Sequence, residues 1–235
     1  MKIYYDLHIH TSLSPCASDD MTPNNIINMA LLKKLDVIGI TDHNSYENVE
    51  PVYSLGKEKG ILVVPGLEVQ TKEEVHLLCY FYSIDYCIEI GEIVNEKMKN
   101  IKNNKTIFGN QFIMNKQDEI IGEKDNLLLS CCDLGLEDIF KIIEGKGVCV
   151  PAHVDRTANS IIYNLGFIPE IPNLNTIEVS KNKNLKNFFE EFPCYKKYRV
   201  IRSSDAHYLG DISERDEFLN CFMELKSIID WLRGN

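Results

Sequence analysis

The sequence predicts an α/β fold of parallel strands joined by crossover helices, on three observations. Short β-branched runs alternate with stretches at helical spacing along most of the 235 residues. The composition, 44% hydrophobic and 26% charged, suits a globular chain long enough to bury a substantial core. All six histidines fall in or at the end of a candidate strand. The alternation leaves an α/β barrel and a doubly wound sheet both open. The histidines add that most of the chemistry would gather at the C-terminal end of the strands, where α/β barrels place their active sites.

The first strand is expected at Ile3–Leu7. Thr22 and Pro23 then read as a helix N-cap and first position, with Ile26, Ile27, Ala30 and Leu31 on one face of a helix running to about Lys34. A strand at Val37–Ile40 precedes a helix over Asn48–Lys59, closed by Gly60. Strands follow at Ile61–Val69 and Val75–Phe81. From Asp85 to Asp133 the rhythm breaks: a polar helix, a Lys/Asn-rich segment over Lys97–Lys105 read as a solvated helix face, then Ile107–Ile113 and Glu119–Gly122 as an inserted β-hairpin. The pattern resumes with a helix at Leu136–Glu144, strands at Val148–Ala152 and Thr176–Val179, a helix at Leu185–Phe192 and a strand at Arg199–Arg202. An apolar run at Leu219–Leu225 offers an eighth strand. The simplest organisation is one domain over residues 1–235 with an insertion at about 85–133.

Charge and cysteine usage exclude several classes. With 25 basic and 35 acidic residues the formal net charge is −10, which argues against a surface that tracks long nucleic-acid backbones. A small phosphorylated substrate stays open, because bound cations reverse the local sign. No apolar stretch approaches the roughly 18–20 residues of a membrane span, and Met1 leads into a strand-like run without leader features. The eight cysteines include no C-x-x-C pair and read as reduced thiols of a cytoplasmic protein. No obligate protein partner is evident.

The histidines stand in Asp6-Leu-His8-Ile-His10, Thr41-Asp42-His43-Asn44, Val75-His76-Leu77, Pro151-Ala-His153-Val and Ser204-Asp205-Ala-His207. His8 and His10, two apart on a strand, project to the same side, and Asp205 and His207 repeat that spacing. Imidazoles and carboxylates in one pocket stay unsatisfied unless cations order them, and N/O ligand sets of this kind suit Zn, Mn or Fe(II). Glu68, in Pro65-Gly66-Leu67-Glu68, ends a strand and can bridge two metals with its two oxygens. His76 has a rival reading as a satisfied core histidine, since Val75, Leu77 and Leu78 surround it.

Taken together and in order from residue 6 to 207, these motifs resemble the PHP (polymerase and histidinol phosphatase) domain. The resemblance implies a distorted seven-stranded (βα)7 TIM-like barrel, here with an inserted β-hairpin, whose C-terminal face holds two or three divalent ions (Mn, Fe or Zn). It implies that His8, His10, Glu68 and Asp205 hold one ion, and that Glu68 bridges to a second held by His76 and His153. His43, His207 and an acidic residue after the first strand would hold a third. The family writes that acid as Ser-Asp-Gly; here Ser18-Asp19-Asp20 leaves Asp19 and Asp20 both open, with Asp19 preferred.

The activity expected is metal-dependent hydrolysis of a phosphoester of a small metabolite, a nucleotide or an oligonucleotide end, by hydroxide bridging two cations. Arg156 is expected to bind a phosphate oxygen, with Lys181 a weaker candidate. Asp42 would orient a ligand, and His207 or His43 could serve as general acid if the third ion were absent. Two rivals stand beside this: an amidohydrolase-like enzyme, disfavoured because no lysine ends a candidate barrel strand among Val37–Ile40, Ile61–Val69 and Val148–Ala152, and a non-catalytic metal-binding module.

Overall fold

A computed structural model describes residues 1–234 of the chain. Its first half runs β1 (Lys2–Ile9), α1 (Pro23–Leu32), β2 (Val37–Ile40), α2 (Val49–Lys59), β3 (Leu62–Gln70), β4 (His76–Phe81) and α3 (Ile84–Glu96). A short α4 (Lys105–Phe108) and the hairpin β5 (Phe112–Met114) and β6 (Ile120–Glu123) follow. Then come α5 (Leu136–Ile143), β7 (Gly147–Pro151), α6 (Ile161–Leu165), β8 (Thr176–Glu178), α7 (Leu185–Glu191), β9 (Arg199–Ile201), β10 (Phe218–Asn220) and α8 (Leu225–Leu232).

Six strands form a curled, mixed sheet in the order β10-β1-β2-β3-β4-β7, and β8 and β9 make a separate parallel pair. Backbone bonds tie that pair to both sides of the sheet near the site. The Val154 amide donates to the Glu178 carbonyl at 2.9 Å, and the His10 amide to the Ala206 carbonyl at 3.0 Å. One face of the sheet carries Tyr5, Leu7, Val37, Val64, Leu78, Tyr80, Val148 and Val150, closed over by Ile228, Ile229 and Leu232 of α8. The other face packs Ile38, Ile40, Val63, Leu67 and Cys79 against the remaining helices.

The expectation of parallel strands throughout is corrected. β1, β2 and β3 are parallel, but β3 and β4 are antiparallel, as are β4 and β7. The physical reason is the connection Thr71–Val75, which is too short for a crossover helix, so the chain can only return as a hairpin. The reversal helps the site. His76, at the start of β4, lies opposite Gln70 at the end of β3, and Leu77 lies opposite Pro151 at the end of β7. Glu68, His76 and His153 therefore share one end of the sheet.

Among the described residues three helices were not anticipated, α4, α6 and α8; α4 takes Ile107 and Phe108, where the first hairpin strand was expected to begin, and that strand is Phe112–Met114. The spacing Leu225, Ile228, Ile229, Leu232 carries the helical signal for α8, and the apolar run at Leu219–Leu225 divides between its first residue and the antiparallel edge strand β10. The Lys97–Lys105 segment is not a helix face. After α3 the chain turns extended, with bridges from Met98 to Cys132 and Lys102 to Asn126. Asn100, Asn103 and Asn104 explain this, since amide side chains compete for the backbone, and the Asn104 side chain accepts from the Thr106 amide at 3.1 Å.

Gly39 in β2 faces β1 so closely that a Cβ there would lie 2.3 Å from the Leu7 carbonyl oxygen. Gly39→Ala is expected to destabilise the protein by about 1–3 kcal/mol through overpacking. An unchanged urea midpoint would show that the β1–β2 contact tolerates the methyl group.

Candidate metal centre

A change of face within β1 sets up the site. Leu7 belongs to the inner apolar cluster and Ile9 to the outer one, although residues two apart normally share a face. Between Asp6 and Ile9 the β1–β2 register shifts, and such an irregularity re-aims the side chains beside it. His8 and His10 thereby both reach the same group: each Nε2 lies 3.0–3.1 Å from the inner oxygen, Oδ1, of Asp205. Asp205 and His153 have φ of 54° and 30°, left-handed backbone that non-glycine residues adopt at a cost, here at two strand exits facing the site.

Glu68 is the hub. It is fully buried, and its two oxygens face different histidines. Oε1 lies 2.8 Å from His76 Nδ1 and 3.1 Å from His153 Nε2. Oε2 lies 2.9 Å from His43 Nδ1 and 3.3 Å from His10 Nε2. Backbone pairing fixes its neighbour on one side: the Asn44 amide donates to the Glu68 carbonyl and the Glu68 amide to the Asp42 carbonyl. His76 is thus part of the cluster rather than a core histidine.

Hydrogen bonds behind the histidines assign their tautomers. His8 Nδ1 pairs with the Glu178 carboxylate at 3.0 Å, and His10 Nδ1 donates to Ser14 Oγ at 3.0 Å. Ser14 in turn donates to Asp42 at 2.6 Å, and Asp42 also accepts from the amide and hydroxyl of Thr11 at 2.7 Å each. His207 Nδ1 donates to the Asp205 carbonyl at 2.8 Å. With the proton on Nδ1, each ring turns the Nε2 lone pair inward. The two inward nitrogens of His8 and His10 stand 3.2 Å apart.

Ring nitrogens facing one another at this distance need a proton or a metal cation between them. Ligand atoms about 2.1 Å from a tetrahedral ion stand about 3.4 Å apart, close to the spacings seen. Buried Glu68 Oε2 and His153 Nδ1 make no hydrogen bond at all. Among the described residues, three groups bring candidate ligand atoms within 4.8 Å of one another: His8, His10, Glu68 and Asp205; His43, Glu68 and His76; and His10, His43 and His207. The donor set fits a polynuclear site of divalent ions.

In the absence of cations, protons take their place. Burial pushes His8 and His10 down, but the surrounding carboxylates overcome it, holding His8 well above the ordinary imidazole value and His10 at about 9. His43 is also raised to about 9, burial being outweighed chiefly by Glu68. Glu68 and Asp205 move well below the carboxylate range, their burial outweighed by the histidine charges. Burial lowers His76 to about 4 despite Glu68, and burial with the His10 charge lowers His207 to about 3.

The expected substrate residues separate. A cavity of about 330 Å³ opens over the cluster, lined by Cys16, Gln70, Asn159 and Arg156 among others. Arg156 Nη1 sits 2.5 Å from the outer oxygen of Asp205, at the mouth. Lys181 does not line the cavity and pairs with Asp216 at 3.0 Å. Asp19 and Asp20 are both exposed and outside the three groups, Asp19 accepting from Asn110 at 2.9 Å. Asp42 lies behind the cluster as a positioning group. Sequence reasoning missed Glu178, which also accepts from the His153 amide at 2.9 Å. An acid ending the β-branched run Thr176-Ile-Glu178 was the available signal.

Residues 6–165 match the PHP domain family, and the chain belongs to it. Over 96 residues it is 33% identical to an uncharacterised protein of Methanocaldococcus jannaschii, covering 41% of this chain but only 12% of that one. The solved lesion-specific endonuclease of Pyrococcus furiosus covers all of this chain, which spans 56% of the endonuclease, at 19% identity and TM-score 0.69. Endonuclease Q has also been solved with a duplex carrying an abasic lesion at its active site. A candidate metal-dependent phosphoesterase of Bifidobacterium adolescentis and an amidohydrolase of Chromobacterium violaceum each match at 16% identity, covering 98% of this chain and 96% of theirs, with TM-scores of 0.61 and 0.62. At these identities the structural likeness is one of fold.

Because His10 and His43 hold protons up to about pH 9, divalent-ion uptake at pH 7 must expel them. Affinity is expected to fall on acidification, and calorimetric heats at pH 7 to depend on the buffer's ionisation enthalpy with net proton release. Heats independent of buffer would contradict this protonation pattern.

Proposed function

We propose that the protein is a metal-dependent phosphoester hydrolase whose centre is built on Glu68. The supporting observation is the divided carboxylate, with one oxygen facing His76 and His153 and the other facing His43 and His10. That is the arrangement a residue needs to join two cation sites. His8, His10, Glu68 and Asp205 would hold one ion, Glu68, His76 and His153 a second, and His43 and His207 would contribute to a third. Bound divalent ions of the Mn, Fe or Zn type would supply a water of depressed pKa and Lewis-acid stabilisation of phosphoryl oxygens. On this reading β1, β2, β3, β4, β7, β8 and β9 are the seven staves of a distorted barrel, with residues 85–133 an insertion.

The chain's own side chains do the rest. Arg156 swings from the outer oxygen of Asp205 onto a phosphate oxygen, a short move because its side chain is 46% exposed at the cavity mouth. Glu178 holds the His8 ring, and Asp42 holds His10 through Ser14, so both keep their inward lone pairs. The cavity size suits a small phosphorylated metabolite, a nucleotide or an oligonucleotide end. An extruded nucleotide of a lesion-bearing duplex, as the endonuclease likeness suggests, is tested alongside them. Among the described residues no lysine lines the cavity, which weighs against an amidohydrolase with a lysine-derived bridge.

Purified protein supplied with Mn²⁺ is expected to hydrolyse members of a panel of nucleotides, sugar phosphates, phosphorylated oligonucleotide ends and abasic duplexes, and chelation to stop it. Metal binding without turnover on the whole panel would favour a non-catalytic module. Glu68→Gln is expected to lower metal content together with rate; unchanged stoichiometry would remove Glu68 as the bridge. Arg156→Ala is expected to cost about 10- to 100-fold in kcat/KM, the equivalent of one charge-assisted hydrogen bond, with metal content retained. Full activity in that variant would leave the phosphate without its proposed anchor.

A further inference from the structure

We propose that Cys16 is the anionic ligand of the outer cation site, in the position where an aspartate was expected. This rests on the metal-centre reading above and specifies one of its ligands. The grouping of His10, His43 and His207 contains three imidazoles and no carboxylate. Cys16 Sγ lies 3.1 Å from His207 Nε2, the nitrogen left with its lone pair by the Nδ1 bond to the Asp205 carbonyl. Beside this group, fully buried Glu68 Oε2 makes no hydrogen bond, faces His43 Nδ1 at 2.9 Å, and borders the same cavity as Cys16, so an unpartnered acceptor and the thiol open onto one space.

The loop that carries the thiol is held in place. The Ala17 amide donates to the Ser14 carbonyl, and the Ser18 amide to the His207 carbonyl, both at 2.9 Å, so the turn is tied to the strand exit bearing His207. Gly109 presses on the turn so closely that a Cβ would lie 2.1 Å from the Pro15 carbonyl oxygen. The same packing turns the two aspartates outward, with Asp19 taken by Asn110. The turn therefore presents sulfur to the cavity and carboxylates to solvent.

On binding, the thiol loses its proton to solvent and the sulfur donates its lone pair to the ion, leaving no redox change. A soft thiolate beside imidazoles selects Zn, Fe(II) or Co(II) over Mn at this position. The test uses chelator-stripped full-length protein titrated with Co²⁺. The wild type should develop a near-ultraviolet thiolate-to-cobalt charge-transfer band. Cys16→Ser should lack the band and bind one equivalent fewer while retaining the rest, and Cys16→Asp should regain the equivalent without the band. In parallel, Zn²⁺ should protect Cys16 from iodoacetamide but leave the exposed Cys194 reactive. Cobalt binding with no such band, or a band and stoichiometry unchanged in Cys16→Ser, overturns the assignment while leaving the Glu68-centred sites standing. A wild type that binds no cobalt overturns both.

Discussion

The interaction on which the structure depends is the mutual compensation of buried imidazoles and buried carboxylates around Glu68. A carboxylate removed from water costs several kcal/mol unless charge and hydrogen bonds replace its hydration. Here one Glu68 oxygen has no hydrogen bond, and the histidines of the other strands point nitrogen at it. Protons can neutralise such a cluster, as the raised values of His8, His10 and His43 indicate. Divalent ions neutralise it better, because each concentrates two charges and accepts several converging lone pairs in one place. The helices, the strand reversals and the loop ties serve to hold this charge-dense centre under an otherwise apolar sheet.

Three devices bring the clustered side chains together. The register shift in β1 turns His8 and His10 to the inner face. The hairpin between β3 and β4 returns the chain so that His76 begins a strand beside Glu68 instead of ending one across the fold. Left-handed backbone at His153 and Asp205 swings those side chains inward at the strand exits. Behind them, Glu178 and the Ser14–Asp42 pair fix ring orientation, and Asp6 accepts from the Ser204 amide at 3.0 Å, anchoring the Asp205 loop.

Much of this was legible in the sequence, for reasons that mark its boundary. The β-branched runs located β1, β2, β3, β4, β7, β8 and β9 within a few residues, because period and composition act locally. Glu68 and the histidines stood out because such residues rarely end apolar strands without a task. Strand direction was misjudged at β4, since antiparallel return depends on the length of Thr71–Val75 and leaves apolar patterning unchanged. The Asn-rich stretch after α3 was misread because lysine count outweighed asparagine's preference for turns. The outer site was hardest: which of Cys16, Asp19 and Asp20 faces the cavity is set by Gly109 and Asn110, nearly a hundred residues away in the chain. Glu178 was passed over because a single acid at a strand end, without a histidine beside it, carries little signal.

The most direct measurement is anomalous diffraction from crystals soaked in Mn²⁺ or Zn²⁺, recorded at the absorption edge of each metal. The account predicts at least two peaks flanking the Glu68 carboxylate, one within bonding distance of His8, His10 and Asp205 and another within bonding distance of His76 and His153. Density confined to surface carboxylates, with the Glu68 cluster empty of both metals, would contradict it.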